Sequence, residues 1–394
     1  MNKVFLIDGA RTPIGSFLGQ FSSLSAPQLG SIAIQEALRR AKVKDDWIDE
    51  VLMGCVLTGG LGQAPARQAS IGAGISNAVP CTTINKVCGS GMKTVMMAAQ
   101  AIKAGDADII VAGGMESMST VPYALSKART GYRMGNGELL DLMIHDGLWD
   151  PYNNCHMGNC GDATAEEYSI SRQQLDDFSA ESLMRTRSAQ ESGILQEEIV
   201  SVSVPQRKGE PLIVSLDEQP SKGDPAKLSQ LRPAFSKDGA TTAGNASSIN
   251  DGAAAVILAS ENAVKRHDLK PIAQIVDYTQ FAHAPEWFTT APAGAIEKVM
   301  TKRGLSVAEV DLFEINEAFA VVALVVAQKL QIPRDRLNVN GGAVALGHPI
   351  GMTGTRLVLT AAYELRRRNK HRAICSPCIG GGEATAIVLE SLPS

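Results

Sequence analysis

Four stretches of the chain carry residue types that could do covalent or acid–base chemistry, and each is set beside glycines or a strand end. In Asn85-Lys86-Val87-Cys88-Gly89-Ser90-Gly91-Met92, Cys88 stands at a strand-to-helix turn. A thiol there meets the positive end of the helix dipole and free backbone N–H groups, which lower its pKa and favour the nucleophilic thiolate. The flanking glycines permit the tight turn and the approach of a substrate carbonyl; a buried structural cysteine is the alternative. In Gly341-Gly342 through Gly347-His348-Pro349-Ile350-Gly351, His348 precedes a helix, where a glycine-encased imidazole makes a poor core residue and a candidate functional one. Cys375-Ser376-Pro377-Cys378-Ile379-Gly380-Gly381-Gly382 has two readings. C-x-x-C is a zinc or redox spacing, but a zinc site needs further ligands, for which Cys155, His156 and Cys160 are the candidates, loosely spaced. The glycine run after Cys378 instead offers N–H groups to an oxyanion. Last, Glu314-Ile315-Asn316-Glu317-Ala318-Phe319 runs from a strand end into an apolar helix, where Asn316 is a functional amide or an N-cap.

These turns need elements to hold them. Val4–Ile7, Val51–Met53 and Ile109–Ala112 read as buried strands, Leu29–Ala41 and Met92–Ala104 as helices, so the pattern is α/β. An internal repeat organises it. Ala33-Ile34, Val43, Ile48-Asp49 and Val51 match Ala295-Ile296, Leu305, Val310-Asp311 and Phe313 at an offset of 262. Gly91, Ala98-Ala99 and Ile102 match Gly354, Ala361-Ala362 and Leu365 at an offset of 263. Two similar halves follow, 1–120 and 250–394, with a more polar insertion at 121–249 that contains helical material at 165–190. The repeat makes the His348 region the counterpart of the Cys88 region, so two halves related by a pseudo-twofold axis can converge both on one site.

Composition sets the outer limits. With 394 residues, 44% hydrophobic and 20% charged, the chain can bury a large interior. A net charge of −4 carries no basic excess for nucleic acid, and the apolar run Phe319–Ala327 is about half the length needed to span a bilayer. Seven scattered cysteines do not read as a disulfide framework. Met1–Asp8 lacks a secretory or transit pattern and Glu390–Ser394 a targeting address, so a cytoplasmic protein is expected.

Taken together the motifs resemble those of thiolases, over essentially the whole length. Gly9-Ala10-Arg11-Thr12-Pro13, Gln63–Gln68, Gly113–Ser119, Asn316-Glu317-Ala318-Phe319, Asn338–Gly342, Gly347-His348-Pro349 and Cys378–Gly382 all take part. The resemblance implies a duplicated αβαβα layered fold with an inserted loop domain that binds coenzyme A. It implies Cys88 as the acyl-carrying nucleophile, His348 as its base, and Cys378 as acid/base at the α-carbon of acetyl-CoA. Asn316, through a water and with His348, would serve the enolate oxygen, and the N–H groups of Cys88 and Gly380 a second oxyanion hole. The positions matching the family's CoA and substrate contacts are Leu148, His156, Met157, Phe235, Ala243, Ser247, Phe288, Ala318 and Phe319, with Lys222, Asp224 and Lys227 toward the nucleotide. His156-Met157-Gly158 resembles the short-chain branch, which condenses two acetyl-CoA to acetoacetyl-CoA and CoA or runs in reverse. A broader-chain 3-ketoacyl-CoA thiolase is the near alternative, and a non-catalytic acyl-CoA or lipid carrier the distant one. Leu183 stands where potassium-dependent members have tyrosine, so no potassium requirement is expected. Nor is a metal, or any cofactor beyond CoA as substrate and product; the expected assembly is a homodimer or homotetramer.

Overall fold

The apolar run at Val4 grows into strand β1 (Val4–Arg11), in which every residue but Asp8 is buried. A strand covered on both faces requires helices on both sides, and the computed structural model, which describes residues 2–392, supplies them. Met1, Pro393 and Ser394, part of the terminal stretches read above for targeting, lie outside the described residues. Eight further strands complete the main path of the sheet: β2 (Glu50–Gly54), β3 (Cys81–Ile84), β4 (Ile109–Ser117), β5 (Asn250–Ser260), β6 (Ala273–Ala282), β7 (Leu312–Ile315), β8 (Arg372–Ser376) and β9 (Glu383–Glu390); two two-residue strands, Gly15–Ser16 and Cys378–Ile379, pair beside it with β5 and β9. Their order is β7-β8-β9-β6-β1-β5-β4-β2-β3. The sequence repeat is visible in that order: β1, β5, β4 and β2 run outward from one side of the β1–β6 seam, and β6, β9, β8 and β7 from the other. The seam is antiparallel, with Val4 opposite Ile275 and Leu6 opposite Ala273.

Eight helices of eight residues or more are described: α1 (Ala26–Ala41), α2 (Pro65–Gly72), α3 (Ser90–Ala104), α4 (Met157–Glu167), α5 (Arg172–Glu191), α6 (Ala291–Arg303), α7 (Ala320–Leu330) and α8 (Thr353–Arg367). Three large cores define the layers. Helices α1 and α2 pack over Val51, Val111 and Ile257; α6 and α7 pack over Phe313, Ile374 and Val388. Between them α3 and α8 share a core with Leu52, Ile110, Leu258, Leu312, Ala373 and Leu389. The result is the αβαβα layering. A helix enclosed in the middle must be apolar or satisfied all round, and in α8 every residue from Thr353 to Leu365 is buried.

The two central helices meet at their N-terminal ends through a pair of glycines the repeat had already aligned. A Cβ at Gly91 would lie 2.6 Å from Thr355 Oγ1, and one at Gly354 2.4 Å from the Met92 nitrogen. Only hydrogen at both positions lets the helix starts approach this closely, and that approach brings the Cys88 and His348 turns together.

One expectation is revised. β5, which begins at 250 and was assigned to the second half, is hydrogen-bonded to β1 and β4 of the first on either side. The helical material expected at 165–190 is present as the end of α4 and most of α5; Ser171 starts α5 afresh, its hydroxyl accepting from the Gln174 N–H while Gln174 accepts from the Ser171 N–H. The rest of 121–249 forms three short hairpins, Tyr123–Ala124 with Leu140–Asp141, Trp149–Asp150 with Cys155–His156 and Val202–Val204 with Leu212–Val214, together with α4, short helical turns and loops.

Candidate active site

Cys88 lies just before α3, in a turn that is strained where it bends. Val87 adopts φ +46°, a left-handed conformation that costs a β-branched residue roughly 1–3 kcal/mol. The turn is held regardless: Val87 N–H donates to Asn85 Oδ1 at 3.0 Å, and Ser90 returns its hydroxyl to the Val87 carbonyl at 2.7 Å. The half-buried thiol packs beside an apolar cluster of Val56, Leu57, Met118, Met143 and Ile350. Burial pushes it up to about 11, although the N–H groups of Gly380 and of Cys88 itself both point to the sulfur and pull the other way. The thiolate expected from the helix start is therefore not the resting state; removal from water outweighs the dipole.

His348 is gripped from two directions. Gly347 takes φ +105° with the Asn250 side chain where a Cβ would stand, and the His348 N–H donates to Asn250 Oδ1 at 3.0 Å. Its ring Nδ1 lies 2.6 Å from Thr353 Oγ1 and Nε2 3.4 Å from Asn316 Nδ2. Burial, then the charge of Arg356, press the imidazole down to about 3, so it rests neutral.

Asn316 is fully buried at the end of β7, its N–H donating to the Ser376 carbonyl, and its Oδ1 has no partner. It is placed by its neighbour: Glu317 accepts from Ser182 Oγ, Asn338 Nδ2 and Val344 N–H at 2.7, 2.8 and 3.2 Å, tying this loop to the Asn338–Val344 loop. Asn316 is thus not an N-cap; Phe319 occupies that position for α7. Cys378 is buried, and burial first, then Cys88, push its thiol well above the usual range. Gly381 and Gly382 follow at φ +87° and +81°; a Cβ on Gly382 would lie 2.3 Å from the His283 carbonyl.

A cavity of about 780 Å³ opens at Cys88, with His348 and Gly380 in its wall. Leu148, His156, Met157, Phe235, Ala243, Ser247, Phe288, Ala318 and Phe319 line it as well. An aromatic run supports the wall, with ring centroids 6.0 Å apart for His156–Phe235 and 6.1 Å for Phe235–Phe319. Cys378 and Asn316 lie behind that surface. Lys222, Asp224 and Lys227 are not in the wall: Lys222 pairs with Glu218 at 2.7 Å and Asp224 with Lys227 at 3.1 Å. The C-x-x-C is no ligand pair, since Cys375 packs in the central core and Cys378 in the core of the second half. Cys160 and Cys155 instead cluster with Asp150. That carboxylate is already engaged by Tyr152 N–H and Asn153 Nδ2 at 2.8 Å each, and Cys160 Sγ lies 3.8 Å away. Leu183 is buried against Gly223.

Three contributors went unread in the sequence: Asn250, Thr353 and Glu116. Glu116 accepts from Val56, Leu57 and Gly351 N–H groups at 3.1, 3.1 and 2.9 Å, joining the loop after His348 to the one beside Cys88. A polar residue inside an all-buried strand, as in Met115-Glu116-Ser117, was the available signal.

Known proteins resemble this chain over its whole length. The thiolase N-terminal domain model matches residues 4–262 and the C-terminal domain model residues 269–391. An acetyl-CoA acetyltransferase of Arabidopsis thaliana is 52% identical over 391 residues, covering 99% of this chain and 97% of its own. One from Allochromatium vinosum is 46% identical over 394 residues, covering all of both. Among solved structures, a thiolase from Ascaris suum in complex with coenzyme A superposes with a TM-score of 0.94 at 41% identity, covering 99% of this chain and 100% of that one. The acetyl-CoA acetyltransferase of Bacillus anthracis gives 0.97 at 38%, covering 100% and 99%. With both domain models matched in order and relatives aligned end to end, the chain belongs to the thiolase family.

Proposed function

We propose that this protein is an acetyl-CoA acetyltransferase, joining two acetyl-CoA to acetoacetyl-CoA and CoA, or running the reverse thiolysis, through an acetyl group carried on Cys88. The observation that carries the reading is the convergence at one cavity mouth of a thiol, a neutral imidazole and two N–H groups aimed at the sulfur, with a second thiol behind. His348 Nε2 takes the Cys88 proton as the sulfur attacks the thioester carbonyl. The N–H groups of Cys88 and Gly380 receive the oxyanion. Cys378, a thiol at rest, protonates the departing CoA sulfur and is left as the thiolate that removes the α-proton of the second acetyl-CoA. His348, with Asn316 through a bound water, holds the enolate oxygen while its carbon attacks the acetyl group. Cys88 leaves and regains its proton from His348.

CoA would reach Cys88 along the wall formed by Leu148, His156, Met157, Phe235, Ala243, Ser247, Phe288, Ala318 and Phe319. Lys222, Asp224 and Lys227 remain candidates for its nucleotide end from the exposed loop. The apolar cluster packed beside Cys88 supports a small acyl group over a long one. Retention of both thiols and the imidazole argues against a mere carrier. We further propose a reducing, cytoplasmic setting, supported by seven unpaired cysteines, and a homodimer or homotetramer. The test of the activity is to supply acetoacetyl-CoA and longer 3-ketoacyl-CoAs side by side with free CoA. Acetoacetyl-CoA should be cleaved fastest; a preference for long chains would move the protein to the broader branch, and no cleavage of any would overturn the reading.

A further inference from the structure

His348 can act as a base toward Cys88 only if Nε2 is unprotonated, and a neutral imidazole exists in two tautomers. The contacts around Nδ1 choose between them. Thr353 Oγ1 lies 2.6 Å from Nδ1 and 2.9 Å from the Pro349 carbonyl oxygen. A hydroxyl has one hydrogen, and a carbonyl oxygen can only accept. If the hydroxyl hydrogen went to Nδ1, the 2.9 Å contact with Pro349 would set two lone pairs against each other. With the hydrogen on the Pro349 side, Oγ1 is free to accept from Nδ1–H and both contacts are hydrogen bonds. The far side of the ring agrees: Asn316 presents Nδ2, a donor, to Nε2 at 3.4 Å.

We infer that Thr353 is a positioning residue for acyl transfer, holding His348 in the Nδ1–H tautomer so that the Nε2 lone pair faces the reaction site. The inference rests on the acetyltransferase reading for its consequence but on the hydrogen bonds alone for its geometry. Thr353 is the first residue of α8 and is buried, so its hydroxyl is fixed by the helix and by Pro349, four residues back. When His348 takes the Cys88 proton, the same hydroxyl accepts from the imidazolium. The partner is a neutral hydroxyl where many catalytic histidines have a carboxylate. It sets the tautomer without raising the ring's basicity as a charge would, which fits an imidazole that also has to release its proton to the returning Cys88.

Neutron diffraction from deuterium-exchanged crystals of the unmodified protein reads the tautomer directly: deuterium on Nδ1 and none on Nε2 is expected, and deuterium on Nε2 overturns the inference. Kinetics supply the second reading. Thr353→Val keeps the shape and removes the acceptor, so single-turnover acetylation of Cys88 should fall about 10- to 100-fold with little change in the KM for acetyl-CoA. Thr353→Ser, which keeps the hydroxyl, should restore it to within about threefold. Acetylation of Thr353→Val at the unmodified rate would overturn the inference while leaving the acyl-enzyme reading intact. Failure of the unmodified protein to acetylate at all would overturn the acyl-enzyme reading, with the neutron result still deciding the tautomer.

Discussion

Replacing His348 by Asn should make acetylation of Cys88 steeply dependent on pH. Burial holds the thiol at about 11, so at pH 7 only about one molecule in ten thousand carries the thiolate. Forming it costs about 5 kcal/mol at 1.36 kcal/mol per pH unit. In the unmodified protein His348 accepts the proton as the carbon–sulfur bond forms, and such general-base assistance contributes about 10²- to 10⁴-fold. Without the base, the reaction has to draw on the pre-formed thiolate. The sign is fixed: that fraction rises tenfold per unit of pH until it saturates near the thiol's own pKa. His348→Asn should therefore trail the unmodified protein by about 10²- to 10⁴-fold at pH 7, and its own rate should climb about 300-fold by pH 9.5. The assay is rapid-quench incubation with acetyl-CoA and mass spectrometry of the Cys88 peptide at half-unit steps of pH. A variant rate that is flat between pH 7 and 9.5, or equal to that of the unmodified protein at pH 7, would refute the account of a protonated thiol served by a neutral base.

Cys378→Ser should still acetylate Cys88, because a CoA thiolate can depart unaided, while condensation and exchange of the acetyl-CoA methyl protons with solvent fall about 10²- to 10⁴-fold. Blocked acetylation with exchange intact would swap the roles of the two thiols. Glu317→Gln should destabilise the fold by about 1–3 kcal/mol in chemical denaturation, because an amide NH2 must then face Asn338 Nδ2, Ser182 or Val344 N–H, and should lower turnover by loosening Asn316. In sedimentation, a dimer or tetramer is expected at assay concentration. A fully active, concentration-independent monomer would remove assembly from the proposal.

What the sequence determined on its own is the chemistry and its frame. Cys88, His348 and Cys378 stood out as candidates because each lies beside glycines in a turn, and Asn316 because it ends a strand; their roles came from the family resemblance. The duplication was legible because each half repeats the same helix and strand spacing, and Gly91 and Gly354 emerged from that alignment before their contact was visible. The Phe235–Phe319 wall came from family resemblance, not from any local pattern. Tertiary structure decided the rest. Proximity to a helix start argues for a thiolate at Cys88, but the pKa depends on how much water is removed, and the packing of Val56, Met118, Met143 and Ile350 around the sulfur comes from segments far apart in the chain. C-x-x-C spacing could not reveal that Cys375 and Cys378 enter different cores, since that depends on which layer covers each strand face. Asn250 and Thr353 carry no motif. They act because β5 returns from the insertion to the first half and α8 begins five residues after His348, placing an amide at its backbone and a hydroxyl at its ring. Residue types announce what a site can do; the protonation state in which it waits is set by burial and hydrogen-bond partners, which exist only once the chain has closed around it.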